Sequence, residues 1–440
     1  MIPQPFDHQK TTTQFINDNL FTYITSSPGT GKTRSCLDAI TQFEGRTLVV
    51  APKSILKASW GNDIEKFTPH LTYAIADAKN RYEAFNSNAD VVLINHDGIK
   101  WVETNKALLE DFVTLIVDES TAFKNGNAQR SKACLNIADY FDRRILLTGT
   151  PNPNGIADVF HQMKILDGGE RLGKSFWAFR AATHTPVPKG AFTEWTEKEG
   201  ATEAVFGLIQ DVNIRYKLED CIDMPENISR FLDFELSPEH LTLYKELKRQ
   251  AVLTIKDAQV TAVNAAALAT KLLQAASGTV YSDHGTLHLT SDRYELIMDL
   301  VEEREQCLVA FNWGHQKEAL INIARKRNIA YAVIDGSVPA DYRATVVEDF
   351  QAGKTKVIFA HPASAAHGLT LTAGTTTIWT SPTQNAEHYE QFNNRIYRAG
   401  QTKRTETINI CALNTLEEKA YKNLMNKRNN MQELLELLEL

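Results

Sequence analysis

The octapeptide Ser26–Thr33, SSPGTGKT, restricts the possible folds of this chain more than any other segment. It follows an apolar run, Phe21–Thr25, that reads as a strand, and it opens a stretch from Lys32 that reads as a helix. A glycine-rich loop between a strand and a helix curls so that successive backbone N–H groups face one anion. The helix terminus adds partial positive charge. Pro28, Gly29, Thr30 and Gly31 are expected to form this phosphate cradle. Lys32 should reach the β- and γ-phosphates of a nucleoside triphosphate, and the Thr33 hydroxyl should hold Mg²⁺. The strict pattern has glycine where this chain has Ser26.

The surrounding sequence supplies the sheet that such a loop needs. From Leu20 to Leu166 short apolar runs alternate with helical patterns. Strands are predicted at Phe21–Thr25, Thr47–Ala51, Leu71–Ala76, Val91–Asn95, Thr114–Val117 and Ile145–Thr148. Such alternation predicts an α/β fold with a doubly wound parallel sheet. From Asp167 to Arg230 the chain turns mixed and polar, with a loop-like TPVPKG. Ser237-Pro238 then reads as an N-cap followed by proline at the first helical position, opening a helical stretch to Ala276. Alternation resumes after Asp292, with strands predicted at Leu308–Phe311, Tyr331–Ile334, Lys356–Ala360, Thr376–Thr380 and Thr407–Cys411. The expected organisation is a first lobe at 1–166, a mostly helical insert at 167–290 and a second lobe at 291–440. The Glu/Leu-rich tail Leu416–Leu440 is expected to be a helix packed on the second lobe, with a partner-binding helix as the alternative.

Thr114–Ser120, TLIVDES, is the second chemical signal: a hydrophobic strand ending in adjacent carboxylates. Asp118 is expected to hold the Mg²⁺ shell and Glu119 to orient and deprotonate an attacking water. Composition narrows the remaining classes. With 43% hydrophobic residues the 440-residue chain can fill more than one core. The net charge of −7 weighs against a broadly basic nucleic-acid binder, but a motor needs only a local basic track. The five cysteines, Cys36, Cys134, Cys221, Cys307 and Cys411, form no C-x-x-C pair, which argues against zinc sites and disulfides. The N-terminal MIPQPFDHQK lacks a signal-peptide pattern and no long apolar run appears, so a cytoplasmic location without membrane contact is expected.

Further motifs fall in order around these two. FDHQ (Phe6–Gln9) precedes the phosphate loop, and LLTGTP (Leu146–Pro151) follows the acidic pair. HYEQFNNRIYRAGQ (His388–Gln401) lies in the second lobe. The set resembles the superfamily-2 helicases, and within them the SWI/SNF-type ATPases, over almost the whole chain. Gln391, Arg395, Arg398 and the trailing Ala-Gly-Gln look like that branch's QxxxRxxRxGQ, and VVAPKSILKASW (Val49–Trp60) looks like its second motif. The acidic box reads Asp-Glu-Ser-Thr where the family usually has Asp-Glu-Ala-His, and Tyr216 stands where a second arginine is common.

The resemblance implies two RecA-like lobes and a set of roles. Gln9 would bond the adenine edge, since an amide offers a donor and an acceptor. Arg395 and Arg398 would reach the γ-phosphate as arginine fingers, which contribute about 10³–10⁵ in rate, and Gln391 would help to bind the nucleotide. Thr148, Gly149 and Thr150 would sense the γ-phosphate, and Gly368 would link nucleotide state to the nucleic-acid track. Pro52, Lys53, Asn95 and His96 in the first lobe, and Asn312, Gly336, Ser337 and Thr370 in the second, would contact backbone phosphates without reading bases. Trp60 and Trp313 are expected to pack or line a lobe interface, not to stack on bases. The implied activity is ATP-driven movement along duplex DNA, with forks or single strands as further substrates and a phage or bacterial source. A strand-separating DNA or RNA helicase and a nucleotide-gated binding switch stay open beside it. Protein partners are not legible.

Overall fold

The computed structural model describes residues 2–153, 155–189, 192–257, 262–282, 285–365 and 369–425. The chain divides between Asp223 and Met224 into two compact units.

The first unit is built on a seven-stranded sheet in the order β3-β4-β2-β5-β6-β1-β9. Its strands are β1 (Phe21–Ile24), β2 (Arg46–Ala51), β3 (Tyr73–Ala76), β4 (Val91–Asn95), β5 (Phe112–Asp118) and β6 (Arg143–Leu147). After an antiparallel ribbon of β7 (His184–Lys189) and β8 (Phe192–Glu197), β9 (Asn213–Ile214) closes the sheet beside β1. Every pairing within the sheet is parallel. Successive residues of a strand face opposite sides, and both sides here are covered. Tyr23, Leu48, Val50, Leu115, Val117 and Leu146 enter one core, while Ile24, Val49, Ile116, Ile145 and Leu147 enter the other. This two-sided burial is why the strands read as continuous apolar runs and not as alternating ones.

The second unit repeats the plan with six parallel strands in the order β10-β17-β16-β13-β15-β14. These are β10 (Asn227–Phe234), β13 (Cys307–Ala310), β14 (Tyr331–Ile334), β15 (Val357–Ala360), β16 (Thr376–Trp379) and β17 (Thr405–Ala412). A small antiparallel pair, β11 (Thr279–Ser282) and β12 (Gly285–His288), precedes β13. Its two cores again take alternate residues, Leu308 and Ala310 on one face, Cys307 and Val309 on the other. Both units are doubly wound parallel α/β lobes of the RecA-like kind. The unit is pinned internally by a buried ion pair. Arg293 donates to Glu417 Oε1 at 2.8 Å and to the Thr380 carbonyl at 2.8 Å.

The stretch 167–290 is less helical than expected, because strands β7 to β12 fall within it alongside its helices. TPVPKG is not all loop: Pro186 and Pro188 sit two apart in β7, opposite Trp195 and Thr193. Alternate residues share one edge of a strand, so prolines spaced by two can leave the other edge free to donate; a two-stranded ribbon tolerates this. Residues 416–425 are helical, and 426–440, the rest of the expected tail helix, lie outside the described residues. No helix among the described residues is long and apolar enough to cross a membrane.

Candidate nucleotide site

Because all strands of the first sheet run parallel, their carboxyl ends share one edge. The phosphate loop follows β1, Pro52–Lys53 follow β2, Asn95 ends β4, Asp118 ends β5 and Thr148 follows β6. Ligands of open α/β sheets bind at this edge.

The loop has the backbone that its glycines allow. Gly29 and Gly31 take φ of 86° and 81°, in the left-handed region, and Gly31 caps the helix Lys32–Ile40. Gly31 is also required for space, since a Cβ there would lie 2.2 Å from Gln9 Nε2. Lys32 Nζ donates to the carbonyls of Ser26 at 2.8 Å and Ser27 at 3.3 Å, which folds the ammonium over the loop. Burial lowers the Lys32 pKa, while Glu119 and Asp118 act to raise it. Ser26, in place of the strict glycine, uses its hydroxyl to accept from Tyr216 N at 3.0 Å, which ties the loop to the segment after β9. Thr30 Oγ1 donates to the Ser27 carbonyl at 2.8 Å. Thr33 is partly exposed in the first helical turn, as are Pro28 and Gly29 beside it in the loop.

Gln9 lies against this loop. Its Oε1 accepts from Phe6 N at 3.0 Å and its Nε2 donates to the Thr30 carbonyl at 3.1 Å. His8 Nε2 bonds the same carbonyl at 2.8 Å. One amide hydrogen and one lone pair of Gln9 are left for a ligand.

Asp118 is held from two sides. Its Oδ2 accepts from Trp60 Nε1 at 2.9 Å, and its Oδ1 accepts from Glu119 N at 2.9 Å. Burial raises the Asp118 pKa, opposed by the Trp60 bond and by Lys32. Trp60 is fully buried, so it packs as expected, but its tie to the acidic strand was not foreseen. Glu119 adopts φ 50° and ψ 53°, left-handed for a non-glycine residue. Such strain costs about 1–3 kcal/mol and collects at functional sites. His96 turns towards this site: its Nε2 lies 2.8 Å from the Asp118 carbonyl and therefore carries the proton. Burial depresses its pKa to about 4, so at neutral pH it has no charge to offer a phosphate. Asn95 is half-buried beside it and Lys53 is exposed.

The TGTP loop touches the phosphate loop directly. A Cβ on Gly149 would lie 2.9 Å from both Cγ and Cδ of Pro28. Thr150 N donates to Thr148 Oγ1 at 3.0 Å, and Thr150 Oγ1 is buried with no hydrogen-bond partner. One residue that sequence reasoning missed joins these motifs. Gln162, on the helix Ala157–Asp167, bonds Ser120, Tyr23 and Pro151. A lone glutamine in an apolar helical pattern carries no motif signal, so nothing in the sequence marked it.

In the second unit Arg395 and Arg398 share an anchor. Arg395 Nη1 at 3.3 Å and Arg398 Nη1 at 3.0 Å both donate to the Leu369 carbonyl. Arg395 Nε also donates to the Gln391 carbonyl at 2.7 Å, and Gln391 Nε2 donates to Glu387 Oε1 at 3.2 Å. Gly368 lies outside the described residues. Asn312 follows β13 and donates to Ser381 Oγ at 3.0 Å. Ser337 Oγ donates to Asp335 Oδ1 at 2.6 Å, and Gly336, Ser337 and Thr370 are exposed. Trp313 stacks on His315 with ring centres 5.8 Å apart.

The chain is similar to known proteins over its full length. The profile described as SNF2-related domain matches residues 10–277, and that described as helicase conserved C-terminal domain matches residues 292–400. Protein p41 of Acyrthosiphon pisum secondary endosymbiont phage 1 is 28% identical, over 99% of this chain and 97% of that protein. An ATP-dependent helicase of Mycoplasma genitalium is 25% identical over 92% of this chain. The human DNA annealing helicase and endonuclease ZRANB3 is 26% identical over 90% of this chain. The chain spans only 39% and 37% of these two cellular relatives. A profile that covers more than half of the chain decides the family: this protein belongs to the SNF2-related, SWI/SNF-type ATPases of the superfamily-2 helicases, enzymes that use ATP.

Proposed function

We propose that this protein hydrolyses ATP with Mg²⁺ in order to move along double-stranded DNA. The observation that carries the reading is the convergence of Lys32, Asp118 and Glu119, from β1 and β5, on one edge of the first sheet. Lys32 would neutralise the β- and γ-phosphates. Thr33 and Asp118 would hold Mg²⁺, whose charge offsets that of the transferring phosphoryl group. Glu119 would accept the proton of the attacking water. Gln9 would select adenine with its free donor and acceptor, and Thr148 and Thr150 would register the γ-phosphate. Arg395 and Arg398 are the candidates for arginine fingers.

ATP binding and loss of the γ-phosphate would alternate the grip on backbone phosphates, and that cycle would yield movement. Pro52, Lys53 and Asn95 in the first unit, and Asn312, Gly336, Ser337 and Thr370 in the second, are the proposed contacts. His96 fits a second role better, as a neutral prop for the acidic strand. DNA as the track is supported by family membership and by the name of the human relative. A cytoplasmic location, in a bacterial host, fits the phage relative.

ATP hydrolysis measured alone, with single-stranded DNA, with blunt duplex DNA and with RNA tests this, with Glu119→Gln as control. Strong stimulation by blunt duplex, abolished in the variant, is expected. Stimulation only by single strands or RNA would overturn duplex movement in favour of strand separation. Absence of hydrolysis throughout would reduce the protein to a nucleotide-gated binder.

A further inference from the structure

Ser120 supplies a hydroxyl at a position where the family usually has alanine, and that hydroxyl donates to Gln162 Oε1 at 2.7 Å. The same oxygen accepts from the Tyr23 hydroxyl at 3.1 Å. Gln162 Nε2 donates both of its hydrogens, to the Pro151 carbonyl at 2.8 Å and the Asp158 carbonyl at 2.9 Å. All four hydrogen-bonding positions of the amide are therefore filled, and the side chain has no exposed surface. Three of the four partners come from different parts of the nucleotide site. Tyr23 lies on the strand that runs into the phosphate loop, Ser120 follows the strained Glu119, and Pro151 ends the TGTP loop. Two further contacts bind the acidic segment to the same helix. Lys124 pairs with Asp158 at 3.4 Å, and Gly126 packs on the His161 ring, where a Cβ would come within 2.9 Å.

We propose that Gln162 is a positioning residue that transmits the nucleotide state of the acidic box to the TGTP loop and the helix Ala157–Asp167, with Ser120 as its input. The proposal rests on the reading of Lys32, Asp118 and Glu119 as an ATP site. Alanine at position 120 could not donate, so this relay exists only because the chain departs from the usual box. Glu119 is held off the relaxed backbone regions. A shift in its conformation on ATP binding would move Ser120 first, and a saturated, buried amide has no spare partner with which to absorb that shift. The displacement would pass to Pro151 and Asp158.

The test compares Ser120→Ala, Tyr23→Phe and Gln162→Leu with the parent protein. Amide hydrogen exchange is followed with and without a non-hydrolysable ATP analogue, beside steady-state kinetics. In the parent protein the analogue should slow exchange at 26–33, at 118–123 and along the helix 157–166, which carries no proposed ATP contact. Ser120→Ala should keep the first two protections and lose the third, with kcat reduced about fivefold and KM for ATP little changed. Tyr23→Phe removes a bond to the same oxygen without touching the acidic box, so it should keep the first two protections and weaken the third only in part. Gln162→Leu strands several polar groups and can destabilise the unit, so Ser120→Ala is the deciding variant. Retained protection of 157–166 in Ser120→Ala, or equal behaviour of Ser120→Ala and Tyr23→Phe, would overturn the relay. Failure of the duplex-movement reading would show separately, as a parent ATPase indifferent to DNA, and leaves the exchange measurement readable.

Discussion

Replacing Trp60 with phenylalanine removes one hydrogen bond from a buried carboxylate. In the parent protein Trp60 Nε1 donates to Asp118 Oδ2 at 2.9 Å, and burial already pushes the Asp118 pKa up. A hydrogen bond to a charged group contributes about 1.5–3 kcal/mol. Because that bond favours the charged form, its loss should raise the Asp118 pKa further. The proposed Mg²⁺ ligand would then be protonated at a higher pH. The acid limb of the pH–rate profile for ATP hydrolysis should move to higher pH, with weaker Mg²⁺ dependence at a fixed acid pH. The truncation also loosens a fully buried position, at about 1–3 kcal/mol, or roughly 2–10 °C in Tm for a unit of this size. Ile64→Val, in the same core and 1% exposed, controls for packing. It should cost about 0.5–1.5 kcal/mol and leave the acid limb in place. A Trp60→Phe enzyme with lowered Tm and an unmoved acid limb would refute the assignment of that bond.

Gly149→Ala drives a methyl into the rigid Pro28 ring, so it should raise KM for ATP and cost about 1–3 kcal/mol in stability; an unchanged KM would show that the two loops move independently. His315 is 3% exposed and its pKa is lowered by burial to about 4. Its unfolded form takes up a proton near the ordinary value of 6.5, so stability should be lost as pH falls from about 6.5 to about 4, by roughly 3 kcal/mol. Denaturation midpoints across that range should fall less steeply in His315→Asn, and equal slopes would refute the linkage.

Apolar runs made the strands legible, in the middle of each sheet and also at the edge strands β3 and β14. Val91–Asn95 and Tyr331–Ile334 coincide with their predicted spans, and the other core strands differ at their ends by a residue or two. What escaped was the other two edge strands, β9 and β10, the short antiparallel ribbons and the side-chain chemistry. β9 has two residues, too few for any periodic signal, and β10 has only half-buried and exposed residues, as an edge strand can. The phosphate loop and acidic pair were legible because backbone curvature and metal chemistry demand particular residues at fixed spacing. Trp60 on Asp118, His96 on the Asp118 carbonyl and Gln162 between three motifs were not. Each bond joins residues far apart in sequence, and each side chain would equally suit an ordinary core or loop.

The placement of β9 and β10 governs how the chain can acquire its structure during synthesis. β1 pairs with β9, and Asn213 Nδ2 reaches the Tyr23 carbonyl across 190 positions. β10 opens the second unit and pairs along all eight of its residues with β17, with Thr405 bonded to Asn227 across 178 positions. Each sheet is thus fastened by a strand made last or nearly last. Such long-range pairings form slowly, because loop closure must precede their reward. On the ribosome the first unit can complete its sheet once residue 214 has emerged, while the second must wait for residue 412. The exposed edge of β10 spends that interval unpaired, which makes it the segment most open to chaperones and to wrong partners.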